Sequence, residues 1–109
     1  MGKREIEHQK LARVVKEVGA VLRRQARKRW DTVRTAERDE GNRHVWRFQQ
    51  SGSGDARFIH VSHDAIRQGD AATLLDQLRA GRCFTRLDRG PETALLLSTG
   101  GRLEAYSAS

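Results

Sequence analysis

Cysteine is nearly absent from this sequence, and so are the long apolar segments that membranes require. Cys83 is the only cysteine, so no disulfide can form within the chain, and a structural zinc site would have to rest on histidines and carboxylates. The longest aliphatic run covers only residues 94–97, far short of a membrane span. No apolar block of signal-peptide length occurs near residue 1. We therefore expect a cytoplasmic protein with a reduced thiol.

The sequence also lacks a motif of known chemistry. The stretch 60–64, HVSHD, has the residue types of a catalytic triad, but neighbouring side chains diverge along the backbone and cannot converge on one substrate. The stretch 51–55, SGSGD, lacks the Gly-Lys-Ser/Thr ending of a phosphate-binding loop and is typical of a hairpin connection. We expect no metal and no cofactor. The sequence favours a non-enzymatic protein and leaves an enzymatic role open.

Proline is absent from residues 1–40, and this segment has the periodicity of one long helix. Gly19 weakens the pattern without ending it, since glycine costs about 1 kcal/mol relative to alanine in a helix interior. We predict a basic amphipathic helix over residues 1–40, which either continues from about Arg4 to Arg38 or bends or ends between Ala26 and Arg38. A small α+β domain is expected over residues 41–109, the two forming one cooperative unit. Apolar side chains recur at steps of three and four along one side of this helix: Leu11, Val15, Val18, Leu22 and Ala26.

After a turn at residues 40–42 the chain changes to strand-like alternation. We predict a hairpin of 45–48 and 57–61, a helix from the N-cap Asp70 to Gly81, and strands at 83–87, 93–98 and 103–107. The order α-β-β-α-β-β-β predicts an α+β fold, in which a long N-terminal helix is followed by a mostly antiparallel sheet with one covering helix. The expected core side chains are Trp46, Phe48, Phe58, Ile59, Leu74, Leu78, Phe84, Leu87, Leu95 and Leu97.

Positive charge is the compositional feature that stands out. The chain has 21 Lys and Arg against 14 Asp and Glu, a formal net charge of +7. Residues 10–30 alone hold eight basic side chains and one acidic one. Such an imbalance is uncommon on a plain solvated helix face, where acidic and basic residues usually alternate. The basic residues predicted to form a ridge on the polar side of the helix are Arg13, Lys16, Arg23, Arg24, Arg27, Lys28, Arg34 and Arg38.

This ridge predicts a binding module for nucleic acid, DNA or RNA, because closely spaced guanidinium groups can meet several phosphates and release their counterions. Trp30 would stack on an unpaired base if its ring is exposed. Trp46 and Phe48 are better explained as core, since few other large side chains are available. Two alternatives remain open: an acidic protein as the partner, and an assembly or adaptor domain that forms a homo-oligomer through the apolar stripe of the same helix.

Overall fold

The computed structural model describes residues 2–30, 32–50, 56–89 and 93–106. A long helix, α1 (Gly2–Arg29), precedes three strands, β1 (Val33–Asp39), β2 (Arg43–Gln50) and β3 (Ala56–Ser62). Three short helices follow, α2 (His63–Gln68), α3 (Ala71–Ala80) and α4 (Cys83–Arg89), and then β4 (Ala94–Leu97) and β5 (Leu103–Ala105). The expectation of an α+β fold that begins with a long helix is confirmed.

The five strands form one sheet in the order β1-β2-β3-β4-β5. Neighbouring strands are antiparallel except β3 and β4, which run parallel. A parallel pair needs a crossover connection, and here the helices α2, α3 and α4 supply it. Ser62 caps α2 by accepting a hydrogen bond from the Ala65 N–H, and Asp70 caps α3 in the same way from Thr73.

The hydrophobic core lies on one face of the sheet, and all four helices contribute to it. The register places Trp46 opposite Ile59 and Ile59 opposite Leu95, so these side chains share the helix-covered face. Because side chains alternate along a strand, the residues between them form the opposite face, which we call the open face. Of the ten core residues expected from the sequence, Phe58 is the exception, since it is half-buried on the open face.

Gly19 allows α1 to lie close against this sheet. A Cβ atom at this position would stand 2.8 Å from Trp46 Nε1, 3.1 Å from Arg23 Nη1 and 3.3 Å from Glu37 Oε2. The indole of Trp46 is buried beneath the helix, and Nε1 has no hydrogen-bond partner among the described residues. The glycine that weakens the helical pattern in the sequence is therefore required by tertiary packing.

Two segments differ from the secondary structure expected from the sequence. Helix α1 ends at Arg29, and residues 33–39 form a strand, because the alternating Val33 and Thr35 pair with β2 instead of extending the helix. Residues 83–89 form helix α4, whereas the sequence predicts a strand over residues 83–87. Cys83, Phe84 and Leu87 are all buried, and this spacing fits one side of a helix.

The apolar stripe of α1 is buried within the chain's own core. Val15, Val18 and Leu22 are at most 9% exposed and pack with residues of the sheet and of the short helices. The boundary expected at residue 40 falls within the β1–β2 hairpin, so the helix and the remaining residues share one core. This stripe is therefore not a free surface, and self-association stays a prediction without an assigned interface.

No helix in the described ranges has the length and apolar character needed to cross a membrane.

The hairpin connection predicted at 51–55 lies outside the described residues, although the pairing of β2 with β3 confirms the hairpin itself.

We predict that Gly19→Ala destabilises the protein by about 1–3 kcal/mol, because the new methyl group would overlap the buried Trp46 indole. Intrinsic helix propensity alone predicts the opposite sign, a gain of about 1 kcal/mol. The free energy of unfolding, measured by denaturant titration, distinguishes the two effects.

Gly69→Ala is the matched control, since the nearest atom to a Cβ there is the Ala65 carbonyl oxygen at 3.4 Å, an ordinary contact. We expect this control to change stability by less than about 0.5 kcal/mol. A stabilised Gly19→Ala protein would contradict the close seating of α1.

Candidate functional site

The outward side of α1 carries a row of basic side chains, which we call the α1 basic surface. It consists of Arg13, Lys16, Arg24, Arg27 and Lys28, all of them exposed. None of these five has an ion-pair partner within the part of the chain that the structure describes. Glu17 is the one carboxylate on the same stretch of helix. The row from residue 13 to residue 28 extends over about 22 Å at 1.5 Å per residue.

Two arginines at the flanks of α1 are engaged within the molecule. Arg23 Nη1 lies 3.7 Å from Glu37 Oε2 on β1. Arg29 Nε donates to Asp88 Oδ2 on α4 at 3.3 Å. Arg23 was expected to belong to the ridge, but its ion pair turns it toward the sheet. It therefore contributes less to the outward field than its five neighbours.

Arg34 and Arg38 lie on β1 instead of the helix. Side chains alternate between the two faces along a strand, and Glu37 contacts Arg23 of α1 on the covered face. Arg34 and Arg38 have the opposite parity to Glu37 and therefore lie on the open face. Arg38 Nη2 also forms an ion pair with Glu40 Oε1 at 2.6 Å. The single ridge expected over residues 13–38 is therefore wrong: the sheet separates these two arginines from the α1 basic surface.

Trp30 is buried, so the condition for base stacking, an exposed ring, is not met. Its indole packs against Phe48 and Phe84, with ring centroids 6.3 and 5.8 Å away. Its Nε1–H donates to Asp88 Oδ1 at 3.2 Å. Trp30 thus fastens the end of α1 to α4. Trp46 and Phe48 are buried in the core, as the sequence predicts.

A chain of acidic and histidine side chains joins β1 to the start of α2. His63 Nε2 lies 2.7 Å from Asp39 Oδ2, and His44 Nε2 lies 3.3 Å from Glu37 Oε2. Burial raises the pKa of Asp39, but hydrogen bonds from the Gly41 N–H and from His63 outweigh it and leave the pKa below its usual value. Among the described residues no group of three or more His, Cys, Asp or Glu side chains could hold a metal ion.

His60 belongs to a separate cluster on the open face. Arg43 Nε donates to His60 Nδ1 at 3.1 Å, and Arg43 Nη2 donates to the Tyr106 hydroxyl oxygen at 2.7 Å. The His60 and Tyr106 rings lie 4.5 Å apart. Burial, followed by the nearby Arg43 charge, lowers the pKa of His60 from 6.5 to about 4. His60 is therefore a neutral hydrogen-bond acceptor at physiological pH.

Cys83 is buried in α4. Burial raises the pKa of its thiol to about 11, so it remains protonated and is a poor nucleophile.

The chain matches no protein-family model, no curated protein and no solved structure. Its function has to be argued from its own residues.

Sequence reasoning missed the side chains of the open face. Arg43, Arg47 and Phe58 face the same side of β2 and β3, and Tyr106 joins them through its contact with Arg43. The alternation in 43–50 was already visible, but it does not reveal which face a helix covers. The strand at 33–39 supplies the neighbouring residues on that face.

We predict that acid destabilises the protein partly through His60. The pKa of His60 in the folded state, about 4, lies below its value in the unfolded state, near 6.5. At a pH between these two values the unfolded state binds more protons than the folded state. The free energy of unfolding therefore falls as the pH drops through this range. In His60→Asn, the amide oxygen can still accept from Arg43 but cannot titrate. Between about pH 7 and pH 5 the wild-type protein should lose about 2 kcal/mol more unfolding free energy than the variant.

Denaturant titrations of both proteins at the two pH values measure this difference, and the variant itself is the control for the other titrating groups. Equal losses would show that His60 is not held neutral by the fold.

Proposed function

We propose that this protein is a non-enzymatic module that binds nucleic acid through the α1 basic surface, without strong sequence selectivity. The observation that supports the proposal is the row of five exposed basic side chains that have no carboxylate partner in the described ranges. The proposal also places the protein in the cytoplasm.

Phosphate is the group that this surface suits best. A nucleic-acid duplex carries one negative charge per roughly 1.7 Å of its axis, so a straight row of about 22 Å can meet several phosphates at once. Arginine adds planar guanidinium groups that form two parallel hydrogen bonds with one phosphate. The row follows a single rigid helix, which keeps the spacing of its charges fixed. These contacts read no base edges, and the expected binding therefore differs little between sequences.

An acidic protein remains the competing partner, since it would also satisfy the charges. The assembly alternative has less support, because the apolar stripe it requires is buried in the core.

We predict that Arg24→Gln, Arg27→Gln and Lys28→Gln together weaken binding to duplexes of unrelated sequence by a similar factor. The slope of log affinity against log salt concentration, measured by fluorescence anisotropy from about 50 to 300 mM salt, should become shallower by about 3 because three phosphate contacts are lost.

The charge-matched control replaces Arg79, Arg82 and Arg102 with Gln, which lowers the net charge equally at exposed positions that do not belong to the α1 basic surface. This control should retain most of the affinity. Equal losses in the two triple variants would show that net charge alone, and not the α1 surface, drives binding. Displacement of the duplex by polyglutamate at matched charge would instead favour an acidic protein as the partner.

A further inference from the structure

The open face of the sheet carries a hollow with an apolar base and basic sides. Its volume is about 320 Å³. Val45, only 3% exposed, lies beneath it, and the half-buried ring of Phe58 borders it. Arg38 and Arg47, both exposed, contribute the charged sides. The remaining lining residues are Ala36 and Glu37, and the carboxylate of Glu37 is engaged by Arg23 and His44 on the covered face.

The strand register gives this hollow its shape. Across β1, β2 and β3 one row of paired residues is Ala36, Arg47 and Phe58. The next row on the same face begins with Arg38 and Val45. The small Ala36 therefore leaves space opposite the larger side chains, and the two arginines stand at diagonal corners of the hollow. All of these positions are on regular strands, so the arrangement is set by backbone pairing.

The charge of the open face favours an anionic occupant. Among the described residues, the strand positions on this face carry one carboxylate, that of Glu104, and four arginines: Arg34, Arg38, Arg43 and Arg47. Arg43 is engaged by His60 and Tyr106. The ion pair of Arg38 with Glu40 leaves its side chain 76% exposed, and such exposed pairs are weak. Arg47 donates to the neutral side chain of Gln49, which keeps its charge available.

An unpaired nucleic-acid strand combines the two chemistries that this face offers. Its bases have apolar planes that stack on aromatic rings and on guanidinium groups, and its phosphates are held by arginine. In a duplex the bases are already stacked and paired, so a duplex cannot place a base in the hollow. An acidic peptide would satisfy the arginines but leave the apolar base and the Phe58 ring unused.

We propose that the open face binds an unpaired strand of nucleic acid, with one base seated in the hollow against Phe58 and the flanking phosphates on Arg38 and Arg47. This inference rests on the proposed function and adds a second contact surface with its own preference. The α1 basic surface takes either form of nucleic acid, whereas the open face takes single strands. The two surfaces lie on opposite sides of the sheet, and substitutions can therefore separate them.

Fluorescence anisotropy with labelled single strands of DNA and RNA, each about twelve nucleotides long, and with a duplex of equal length tests this assignment. Phe58→Leu keeps an apolar side chain but removes the aromatic plane, and it should weaken single-strand binding about five- to tenfold while duplex binding is unchanged. Ala36→Ile fills the hollow from an exposed position on β1 and should have the same selective effect. This second variant leaves the half-buried Phe58 ring in place.

Leu96→Ala is the control, because it removes apolar surface from the same face outside the hollow. Thermal unfolding of every variant verifies that the fold is intact. Unchanged single-strand binding in both Phe58→Leu and Ala36→Ile would overturn the assignment while leaving the α1 proposal in place, provided that the wild-type protein binds the duplex. An equal loss with Leu96→Ala would overturn the seating of a base in the hollow. Absence of binding to every probe at low salt would overturn both proposals.

Discussion

At Gly19 the backbone of α1 comes within contact distance of the Trp46 indole, and this approach sets the position of the helix on the sheet. Val18 and Leu22 are then completely enclosed, and the end of the helix reaches α4, where the Trp30 indole and Arg29 both bind Asp88. Without the close approach, the stripe of α1 would stand away from the sheet and the short helices would lose a packing partner. The interior of so small a domain cannot tolerate such a gap, because removal of core contacts costs a large share of its stability.

The same seating distributes the arginines among different environments. Those at the flanks of α1 meet carboxylates on β1 and α4, whereas those on the outward side face solvent. The arginines of β1 and β2 that alternate with core-facing residues lie on the other side of the sheet. The molecule therefore has two basic surfaces with a hydrophobic layer between them. The α1 basic surface is a straight row of exposed basic side chains, whereas the open face has an aromatic ring and a hollow among its charged side chains. These differences in shape, more than in charge, distinguish what each surface can bind.

The sequence predicts much of the fold because most of its elements satisfy local and global preferences together. The apolar stripe of α1, the β2–β3 hairpin and the Asp70 cap were all predictable from spacing and residue type. Residues 33–39 were not, because Arg34 and Arg38 also continue the helical row of charges and only pairing with β2 decides between the two structures. The short α4 was not predictable for a similar reason, since a few apolar residues do not define a period. For the candidate site, the basic residues of α1 were predictable, but the burial of Trp30 and the exposure of Phe58 depend on which sheet face the helices cover.

The first strand, β1, also determines how this molecule can meet its own copies. It lies at the border of the sheet, where its outer backbone groups have no neighbouring strand among the described residues. Such a border invites another chain to extend the sheet and so to aggregate. The last four residues of β1, from Ala36 to Asp39, are all exposed, and three of them are charged. A second molecule arriving edge to edge would have to crowd these ionic groups together. The charged side chains of β1 therefore disfavour the pairing of this edge with the same edge of a second molecule.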